Sequence, residues 1–390
     1  MLLQTRTAKL RIFPDDEQAV LLRQTMSAYS DACNYVSGLV SSGKVRPDRY
    51  RLHDLAYSDC RSMFSLPTQM AQSVIRTVTA SYKSLRTNIS SHPEKFRKKK
   101  GSVVPKFSIP QLSLVRGRDY SLLWIKEHTE RVFSLNTLEG RIKVPFRSDA
   151  MDWAFADGAR MGTAKLVFRK GKFYLHIPVT VEVPDPPEPS DITDVVGIDR
   201  GIRFLTVSYD GEKTSFMSGA EVKQKRAHYK KLRQELQKKQ TSSARRRIRA
   251  IGRRENRWMS DVNHCLSKTL VREHPEGTLF VLEDLTGIRT ASERVRVKDR
   301  YVQVSWPYYD LEQKLTYKAQ MNGSMVIKVD PRYTSQRCPV CGHTERGNRD
   351  KRDHVFKCRE CGYTSKDDRI GAMNLQKMGT EYLLKAQKVS

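Results

Sequence analysis

The sequence predicts a multidomain protein of mixed α+β and α/β class, in which a small antiparallel barrel with a helical insert precedes an α/β domain interrupted by a cysteine-rich module. Three observations favour this fold class. A chain of 390 residues is too long for one ordinary core. Four prolines between positions 184 and 189 mark a linker. Two CxxC pairs then stand late in the chain, just before its last helical pattern.

The first half of the chain changes from a strand pattern to helices and back to strands. Residues 5–13 alternate as a strand, and we expect this strand to join the barrel. Apolar residues recur three to four apart from Leu22 to Val36 and from Met70 to Leu85, which predicts two helices. Short alternating runs between 103 and 183, with a hairpin turn at Lys170-Gly171, predict the barrel strands.

The second half has the pattern of an α/β domain. Apolar runs at 195–198, 278–282 and 324–329 predict buried strands, and 204–209 predicts another strand. Residues 223–258 have the pattern of one long polar helix in which basic residues far outnumber acidic ones. Few i,i+4 ion pairs are available to stabilise such a helix, so we interpret it as a phosphate-binding surface rather than a merely solvated one.

Two carboxylates stand where predicted strands end, and a third begins the last helix. Asp199 and Glu283 directly follow apolar runs, so their side chains can converge with Asp368. Neighbouring buried carboxylates are costly unless a cation neutralises them. Three such groups suit two Mg²⁺ or Mn²⁺ ions about 4 Å apart. Asp367 is adjacent to Asp368, and the chemistry alone leaves the choice open, although helical phase favours Asp368.

The cysteines predict a second and unrelated metal site. Two CxxC pairs sixteen residues apart have the spacing of a zinc ribbon, and four thiolates leave no open position for water, so one structural Zn²⁺ is expected. Gly342 and Gly362 follow the pairs, where a knuckle needs positive φ. His343 and His354 are nearby rival ligands. The predicted ligands are Cys338, Cys341, Cys358 and Cys361.

The remaining cysteines predict the compartment. Cys33, Cys60 and Cys265 stand in apolar patterns and are interpreted as small core residues, as in a reduced intracellular protein. No apolar run approaches the roughly 20 residues of a membrane span. The N-terminal residues lack the pattern of a signal peptide. We therefore expect a cytoplasmic, nucleoid-associated protein, or a nuclear one if the source is a eukaryote.

The charge predicts a polyanionic partner. Lys and Arg number 71 against 43 Asp and Glu, a formal charge of +28, and the basic residues cluster. Nucleic acid is the commonest partner of such a chain, whereas a basic but otherwise ordinary protein is the weaker alternative. The predicted phosphate contacts are Arg76, Lys83, Lys95, Arg97, Lys98, Lys99, Lys230, Arg245, Arg246 and Arg253.

Four motifs of the second half resemble the TnpB family, the transposon-encoded OrfB proteins related to type V CRISPR effectors and to Fanzor. They are VVGIDRGI, FVLEDL, YTSQRCPVCG and FKCRECGYTSKDDRIGAMNL. ACNYVS, QMAQSVIR and the NH-x-x-SK segment also fit, so the resemblance spans the chain. Many relatives have Asp-Arg-Asp-x-Asn-Ala-Ala where this chain has Lys366 to Ala372. Counting back from Asn374 aligns the catalytic aspartate with Asp368.

The resemblance implies an N-terminal wedge β-barrel with a helical recognition insert, followed by an RNase H-like RuvC nuclease domain interrupted by a zinc ribbon. It implies that Asp199, Glu283 and Asp368 form the RuvC acid triad. The expected domains are the first barrel strand at 1–15, the helical recognition domain at 16–100, the barrel at 101–183, a linker at 184–194, the RuvC domain at 195–336, the nucleic-acid-binding ribbon at 337–363, the final RuvC segment at 364–380 and a tail at 381–390.

The resemblance further implies an RNA-guided DNA endonuclease that acts as a monomer with its RNA. A guide RNA from the transposon end pairs with the target strand of double-stranded DNA, the protein reads a short adjacent motif, and the RuvC site cuts both strands. Three alternatives remain open. They are a compact type V CRISPR effector, which a neighbouring repeat array would indicate, a guided DNA binder without cleavage, and a strand-joining transposase.

Overall fold

A computed structural model describes residues 1–43, 45–96, 103–108, 111–125, 130–148, 151–285 and 308–387. The chain divides into two compact units, Leu3–Glu182 and Val183–Ser390, the second of which includes Met1–Leu2. Arg97, Lys98 and Lys99, together with the side chain of Lys95, lie outside the described part of the chain.

The N-terminal unit combines three helices and eight strands in its described residues. In chain order they are β1 (Leu2–Ile12), α1 (Asp16–Ser41), α2 (Arg49–Ser62), α3 (Thr68–Ser91), β2 (Gln111–Leu114), β3 (Tyr120–Ile125), β4 (Glu130–Thr137), β5 (Gly140–Arg147), β6 (Arg160–Met161), β7 (Ala164–Arg169) and β8 (Lys172–Val183).

The strands form one sheet in the order β2-β7-β8-β1-β5-β4-β3, with β6 paired to β8. β2 and β3 stand at the two ends of this order although they are consecutive in sequence, so the sheet is a nearly closed barrel. β1 lies between β8 and β5, which confirms that the N-terminal strand joins the barrel. The β7–β8 hairpin turns at Lys170-Gly171, where both residues have positive φ, at 50° and 73°.

The helices pack on this sheet through the predicted apolar faces. Met26 of α1 and Met70 of α3 are fully buried, as are their neighbours one turn away. α2 was not predicted, because its sequence is mostly polar. Asp48 caps it by accepting hydrogen bonds from the backbone of Tyr50 and Arg51, and only Leu52, Ala56 and Cys60 are buried in it.

The C-terminal unit contains four α-helices and eight strands in its described residues. They are β9 (Asp194–Asp199), β10 (Phe204–Tyr209), β11 (Thr214–Ser218), α4 (Ala220–Lys238), α5 (Ser242–Arg272), β12 (Thr278–Glu283), α6 (Tyr308–Met321), β13 (Met325–Val329), β14 (Arg349–Asp350), β15 (Val355–Lys357), β16 (Thr364–Lys366) and α7 (Asp367–Gln387).

Five of these strands form a mixed sheet in the order β11-β10-β9-β12-β13. β9, β12 and β13 are parallel, with Ile198 of β9 opposite Leu282 of β12. Parallel strands end at the same edge of a sheet, so Asp199 and Glu283 come to lie side by side at that edge. β14, β15 and β16 form a separate three-stranded sheet that belongs to the cysteine-rich segment.

Helix α7 lies unusually close to the central strand β9. A Cβ added at Gly197 would meet the carbonyl oxygen of Ala372 at 2.1 Å and the amide nitrogen of Gln376 at 2.3 Å. At Gly379 it would meet side-chain atoms of Val281 and Val195 at 2.5 and 2.6 Å. Only glycine fits at these positions, and the close contact fixes the helix over the parallel part of the sheet.

The structure corrects the prediction of one long helix over 223–258. Gln240 has a φ of 50° and Thr241 caps a new helix by accepting a hydrogen bond from Ala244, so the chain forms α4 and α5 instead. The two helices are joined by buried Glu255, which pairs with Arg226 and Arg233 of α4. Two of the basic side chains of this segment, Arg226 and Arg233, therefore stabilise the packing of α4 on α5.

The cysteines outside the CxxC pairs differ in burial. Cys33 and Cys60 are buried in the N-terminal unit, as predicted. The prediction for Cys265 is wrong, because α5 directs Leu266 and Asn263 inward and leaves Cys265 exposed. None of the helices in the described part of the chain combines the length and apolar character needed to cross a membrane.

The glycine contact predicts opposite effects for two Gly→Ala substitutions. Gly197→Ala should lower the free energy of unfolding by about 1–3 kcal/mol or more, because its methyl group overlaps backbone atoms of α7. Gly252→Ala, in the interior of α5 with no atom within 4 Å of the added Cβ, should raise it by about 0.5–1 kcal/mol. Thermal unfolding of both variants measures the difference. Equal stability of the two would contradict the packing described here.

Candidate functional site

One pocket of the C-terminal unit collects the three predicted carboxylates. Asp199 at the end of β9, Glu283 at the end of β12 and Asp368 in the first turn of α7 all line it. Gly371, one turn further along α7, makes room for Asp199, since an added Cβ would lie 2.9 Å from its Oδ2 atom. Residues far apart in sequence are therefore brought together by the strand edge and by the close approach of α7.

The carboxylates oppose each other's ionisation. Burial raises the pKa of Asp199 to about 7, and the neighbouring carboxylates of Glu283 and Asp368 add to this shift. Burial also raises the pKa of Glu283 and, together with adjacent Asp367, that of Asp368. A cluster of acids that resist ionisation gains stability from a bound cation, and carboxylate oxygens suit Mg²⁺ or Mn²⁺. The donor set therefore fits the predicted divalent ions.

Two neighbours, Thr334 and Arg200, donate hydrogen bonds to Glu283, and Asn374 holds Thr334 in turn. The hydroxyl of buried Thr334 donates to its Oε1 atom at 2.5 Å. The guanidinium of Arg200, itself paired with Glu312, donates to its backbone carbonyl at 2.5 Å. Asn374 of α7 in turn donates to the carbonyl of Thr334 at 2.7 Å. Thr334 thus orients the carboxylate directly, while Arg200 holds the backbone that carries it.

The two adjacent aspartates of α7 have different environments. Asp367 has a fully buried side chain and accepts a hydrogen bond from Nε of Arg349 at 3.0 Å, with Nη2 of the same guanidinium 2.9 Å from the carboxylate. His354 approaches the same carboxylate at 3.5 Å. Asp368 lines the pocket and pairs with half-exposed Arg203 at 3.4 Å. The geometry therefore favours Asp368 as the third carboxylate of the pocket.

His354, Asp367 and Asp368 also have possible metal-ligand atoms within 4.8 Å of one another. The Asp367 carboxylate is already engaged by Arg349, and Arg203 lies between the two aspartates at 3.9 and 3.4 Å. Two guanidinium groups at this position supply the counter-charge that a metal ion would otherwise bring. We therefore interpret this group as an ion-pair network that links the cysteine-rich segment to α7.

The four predicted cysteines form one cluster. Their sulfur atoms all lie within 4.8 Å of one another, with Cys338 to Cys361 at 3.6 Å and Cys341 to Cys358 at 3.5 Å. A disulfide would bring two sulfurs to about 2.05 Å. Four thiolates at about 2.3 Å from one tetrahedral ion are about 3.8 Å apart, close to the observed spacing. The cluster is therefore of the right size to bind zinc.

Two knuckles with the same backbone hydrogen bonds build this cluster. Gly342 donates to the carbonyl of Cys338, and Gly362 donates to that of Cys358, both at 3.0 Å. The φ angles of these glycines are 80° and 74°, as predicted. The two histidines are not members of the cluster. His343 contacts Glu345 at 3.3 Å, and His354 contacts Asp367.

The predicted phosphate contacts have mixed exposure. In the N-terminal unit, Arg76 and Lys83 lie on the exposed face of α3. In the C-terminal unit, Arg245, Arg246 and Arg253 are exposed on α5, whereas Lys230 of α4 is half-buried. These residues therefore occupy solvent-facing positions in both units, and their contact with nucleic acid stays a prediction.

Sequence reasoning missed the basic and polar members of the pocket. Arg349 lines it from the segment between the two CxxC pairs, and Arg200 and Thr334 line it from within the motifs VVGIDRGI and YTSQRCPVCG. Arg200 and Thr334 could have been suspected, because they adjoin Asp199 and the first knuckle. Arg349 carries no local signal, since the same segment contains several other arginines.

Comparison with solved structures defines the class of fold. A structure described as the Cas12f1–sgRNA–target DNA complex superposes with a TM-score of 0.63 at 13% sequence identity, covering 96% of this chain and 99% of that one. The mini-RNA-guided endonuclease CRISPR-Cas phi3 superposes with a TM-score of 0.58 at 10% identity, covering 96% and 92%. The chain thus has a Cas12f-like multidomain α+β fold with a nearly closed barrel sheet and a four-cysteine cluster.

Comparison with protein-family models then relates this fold to particular families. The OrfB_IS605 family model, described as a probable transposase, matches residues 176–286, and the model of the Cas12f1-like TNB domain matches residues 308–375. The resemblance to the TnpB family is therefore confirmed, with Cas12f1 proteins among the relatives.

Two relatives illustrate the range of this similarity. The CRISPR-associated endodeoxyribonuclease Cas12f1 of Sulfoacidibacillus thermotolerans is 33% identical over 53% of this chain and 50% of its own length. The Escherichia coli (strain K12) protein named "Putative RNA-guided DNA endonuclease InsQ" is 29% identical over 54% of this chain and 54% of its own length. The similarity thus spans about half the length of each relative.

The cysteine cluster predicts that one zinc ion copurifies with each chain. Cys338→Ser should remove most of the zinc, because three thiolates and a hydroxyl hold the ion more weakly than four thiolates. Elemental analysis of the purified protein measures the metal content. Cys265→Ser is the matched control, since Cys265 is an exposed cysteine outside the cluster, and its zinc content should stay at about one per chain. Zinc-free wild-type protein of normal stability would refute the site.

The carboxylate cluster predicts a pH-dependent effect of Asp199→Asn in magnesium-free buffer. The folded-state pKa of about 7 exceeds the ordinary value of 3.8, so the folded protein binds the proton more tightly than the unfolded chain does. The free energy of unfolding therefore falls as the pH rises from about 4 to about 7. The loss is complete above pH 7 and absent below pH 4. Asp199→Asn should stabilise the protein by roughly 2–4 kcal/mol at pH 8 and much less at pH 5.

Thermal unfolding at the two pH values measures this effect. Asp330→Asn is the control, because Asp330 follows the neighbouring strand β13 and has an exposed side chain. Its effect on stability should be the same at both pH values. A gain from Asp199→Asn that does not depend on pH would contradict the electrostatic coupling of the pocket.

Proposed function

We propose that this protein is a transposon-encoded, RNA-guided DNA endonuclease. In this proposal a guide RNA derived from the transposon end pairs with the target strand of double-stranded DNA, and the protein reads a short adjacent motif. A single RuvC site then hydrolyses phosphodiester bonds in both strands. The support comes from the confirmed resemblance to TnpB and from relatives named as endonucleases.

The observation that carries the proposal is the meeting of Asp199, Glu283 and Asp368 in one pocket. Each comes from a different element, and each belongs to a motif that resembles the TnpB family. A structural role alone gives no reason to place three acids together with raised pKa values. Perturbed carboxylates in a pocket are typical of functional sites.

The three carboxylates would hold two Mg²⁺ or Mn²⁺ ions. Such ions supply an activated water and charge stabilisation at the leaving oxygen. The remaining residues prepare the pocket for this chemistry. Thr334 and Arg200 hold Glu283 in place, and Asp367 holds the guanidinium of Arg349 at the pocket wall, where it can donate hydrogen bonds to a phosphodiester oxygen.

The other segments would bind the nucleic acid. We assign the barrel at 101–183, with its first strand at 1–15, to the wedge, and 16–100 to a recognition domain. We assign 195–336 and 364–380 to the RuvC nuclease and 337–363 to a zinc ribbon that binds target nucleic acid. The exposed arginines of α3 and α5 are suited to phosphate contacts. The protein would act as a monomer with its RNA.

A second candidate is a compact type V CRISPR effector with the same chemistry. The 33% identity to a Cas12f1 protein favours it. The source of the guide separates the two functions, because a CRISPR effector takes its guide from a repeat array. Expression of the chain with its flanking genomic DNA, followed by sequencing of the RNA that copurifies, decides between them. A scaffold from the transposon end supports TnpB function, a repeat-derived RNA supports the effector, and random fragments contradict both.

The nuclease assignment predicts that Asp199→Ala abolishes Mg²⁺-dependent cleavage of the guide-matched DNA. Guide-directed binding should persist, because the substitution removes a metal ligand and leaves the basic surfaces intact. Cleavage and binding of labelled duplex by the copurified complex measure both properties. Asp330→Ala is the matched control, with an exposed carboxylate after the adjacent strand, and should cut at the wild-type rate. Undiminished cutting by Asp199→Ala would disprove the site.

A further inference from the structure

Tyr333 combines an exposed aromatic ring with an unusual backbone conformation next to the pocket. Its φ is +64°, in the left-handed region that bulky residues rarely adopt. The residue is 61% exposed, so burial of the ring does not offset this cost. The other non-glycine residues with positive φ in the described part of the chain are Ser65, Lys170, Gln240 and His354. Tyr333 has the largest side chain of this group.

The surrounding turn locks this conformation in place. The carbonyl of Tyr333 accepts hydrogen bonds from the backbone of Gln336 and Arg337, both at 2.9 Å. On its other side, Thr334 is 4% exposed, donates to Glu283 and is held by Asn374. The backbone of Tyr333 is therefore fixed to the catalytic strand edge and to α7, while its side chain points away from the packed interior.

The backbone of Tyr333 lies beside the pocket. Pro331, Thr334 and Ser335 line the pocket, so Tyr333 belongs to the segment that forms one of its edges. Its Cα lies about 3.8 Å from that of Thr334, whose hydroxyl is 2.5 Å from the Glu283 carboxylate. Among the described residues, the ring stacks on no other aromatic group and the hydroxyl makes no hydrogen bond. The aromatic face remains available to a ligand.

We propose that Tyr333 stacks on an unpaired nucleobase and so positions the strand whose phosphate enters the pocket. In the proposed function one site cuts both strands, and an unpaired strand that enters it exposes base faces that bind aromatic side chains. Stacking does not depend on base identity, which suits an enzyme whose specificity comes from a guide. The inference rests on the proposed function and makes Tyr333 a positioning residue of the same reaction.

The test compares Tyr333→Gly with Tyr333→Phe in the copurified RNA complex. Glycine accepts the left-handed backbone and removes the ring, whereas phenylalanine keeps the ring and removes only the hydroxyl. Tyr333→Gly should lower kcat/KM for DNA cutting about 5- to 150-fold, the range that corresponds to one lost base stack. Tyr333→Phe should cut at close to the wild-type rate, and the melting temperature of Tyr333→Gly should not fall below that of wild type.

A matched control and an abasic scan complete the experiment. Tyr382 is also an exposed tyrosine, about 21 Å further along α7 than Asp368, and Tyr382→Ala should leave cutting unchanged. Substrates with one abasic nucleotide at successive positions near the cut should reveal one position where removing the base slows the wild type. With that abasic substrate, Tyr333→Gly should cut as fast as the wild type does, because the ring has no base left to stack on.

Three results would overturn the inference while leaving the proposed function intact. The first is that Tyr333→Gly cuts at the wild-type rate, and the second is that Tyr333→Phe is as impaired as Tyr333→Gly. The third is that the fold-losses in cutting rate from the abasic site and from Tyr333→Gly multiply when the two are combined. A wild-type complex that cuts no DNA would instead overturn the proposed function, and this inference with it.

Discussion

The close packing of α7 on β9 determines the geometry of the whole C-terminal unit. At Gly197 the helix backbone comes so near that a single methyl group would overlap the carbonyl of Ala372. Packing at this distance leaves the helix no freedom to slide along the strand. Since Asp199 ends β9 and Asp368 lies in the first turn of α7, the same contact influences the separation of the two carboxylates. Gly371 extends this contact to the functional end, where it makes room for the Asp199 side chain.

Electrostatic repulsion within the pocket works against this packing. Three acids with raised pKa values face one another, and their ionisation reduces the stability of the folded protein. Arginines around the pocket offset part of the repulsion, with Arg203 on Asp368 and Arg349 close enough to lower the pKa of Asp199 and Glu283. Clustered acids of this kind lower stability, a cost that is commonly found at functional sites.

The parts of the site that sequence could predict are those with a local pattern. An apolar run ended by an acid predicts Asp199 and Glu283, and the CxxC spacing predicts the cysteine cluster, because each strand end and each CxxC pair is a short local pattern. Arg349 has no such pattern, since its position depends on a contact with Asp367 across the cysteine-rich segment. The break between α4 and α5 was missed for a related reason. The basic pattern continues on both sides of Gln240, whereas the positive φ of Gln240 ends α4 and the Thr241 cap begins α5.

The adjacent residues Asp367 and Asp368 show how the cysteine-rich segment and the pocket depend on each other. Consecutive helical residues point about 100° apart, so one carboxylate can face the segment while the next faces the pocket. Asp367 is fully buried and needs a partner there, because an unpaired buried charge is strongly unfavourable. Arg349 and His354 supply that partner only if the two knuckles hold β14 and β15 in position. The cysteine-rich segment therefore affects the pocket without contributing a carboxylate to it, since it places Arg349 and His354 against Asp367, the neighbour of Asp368.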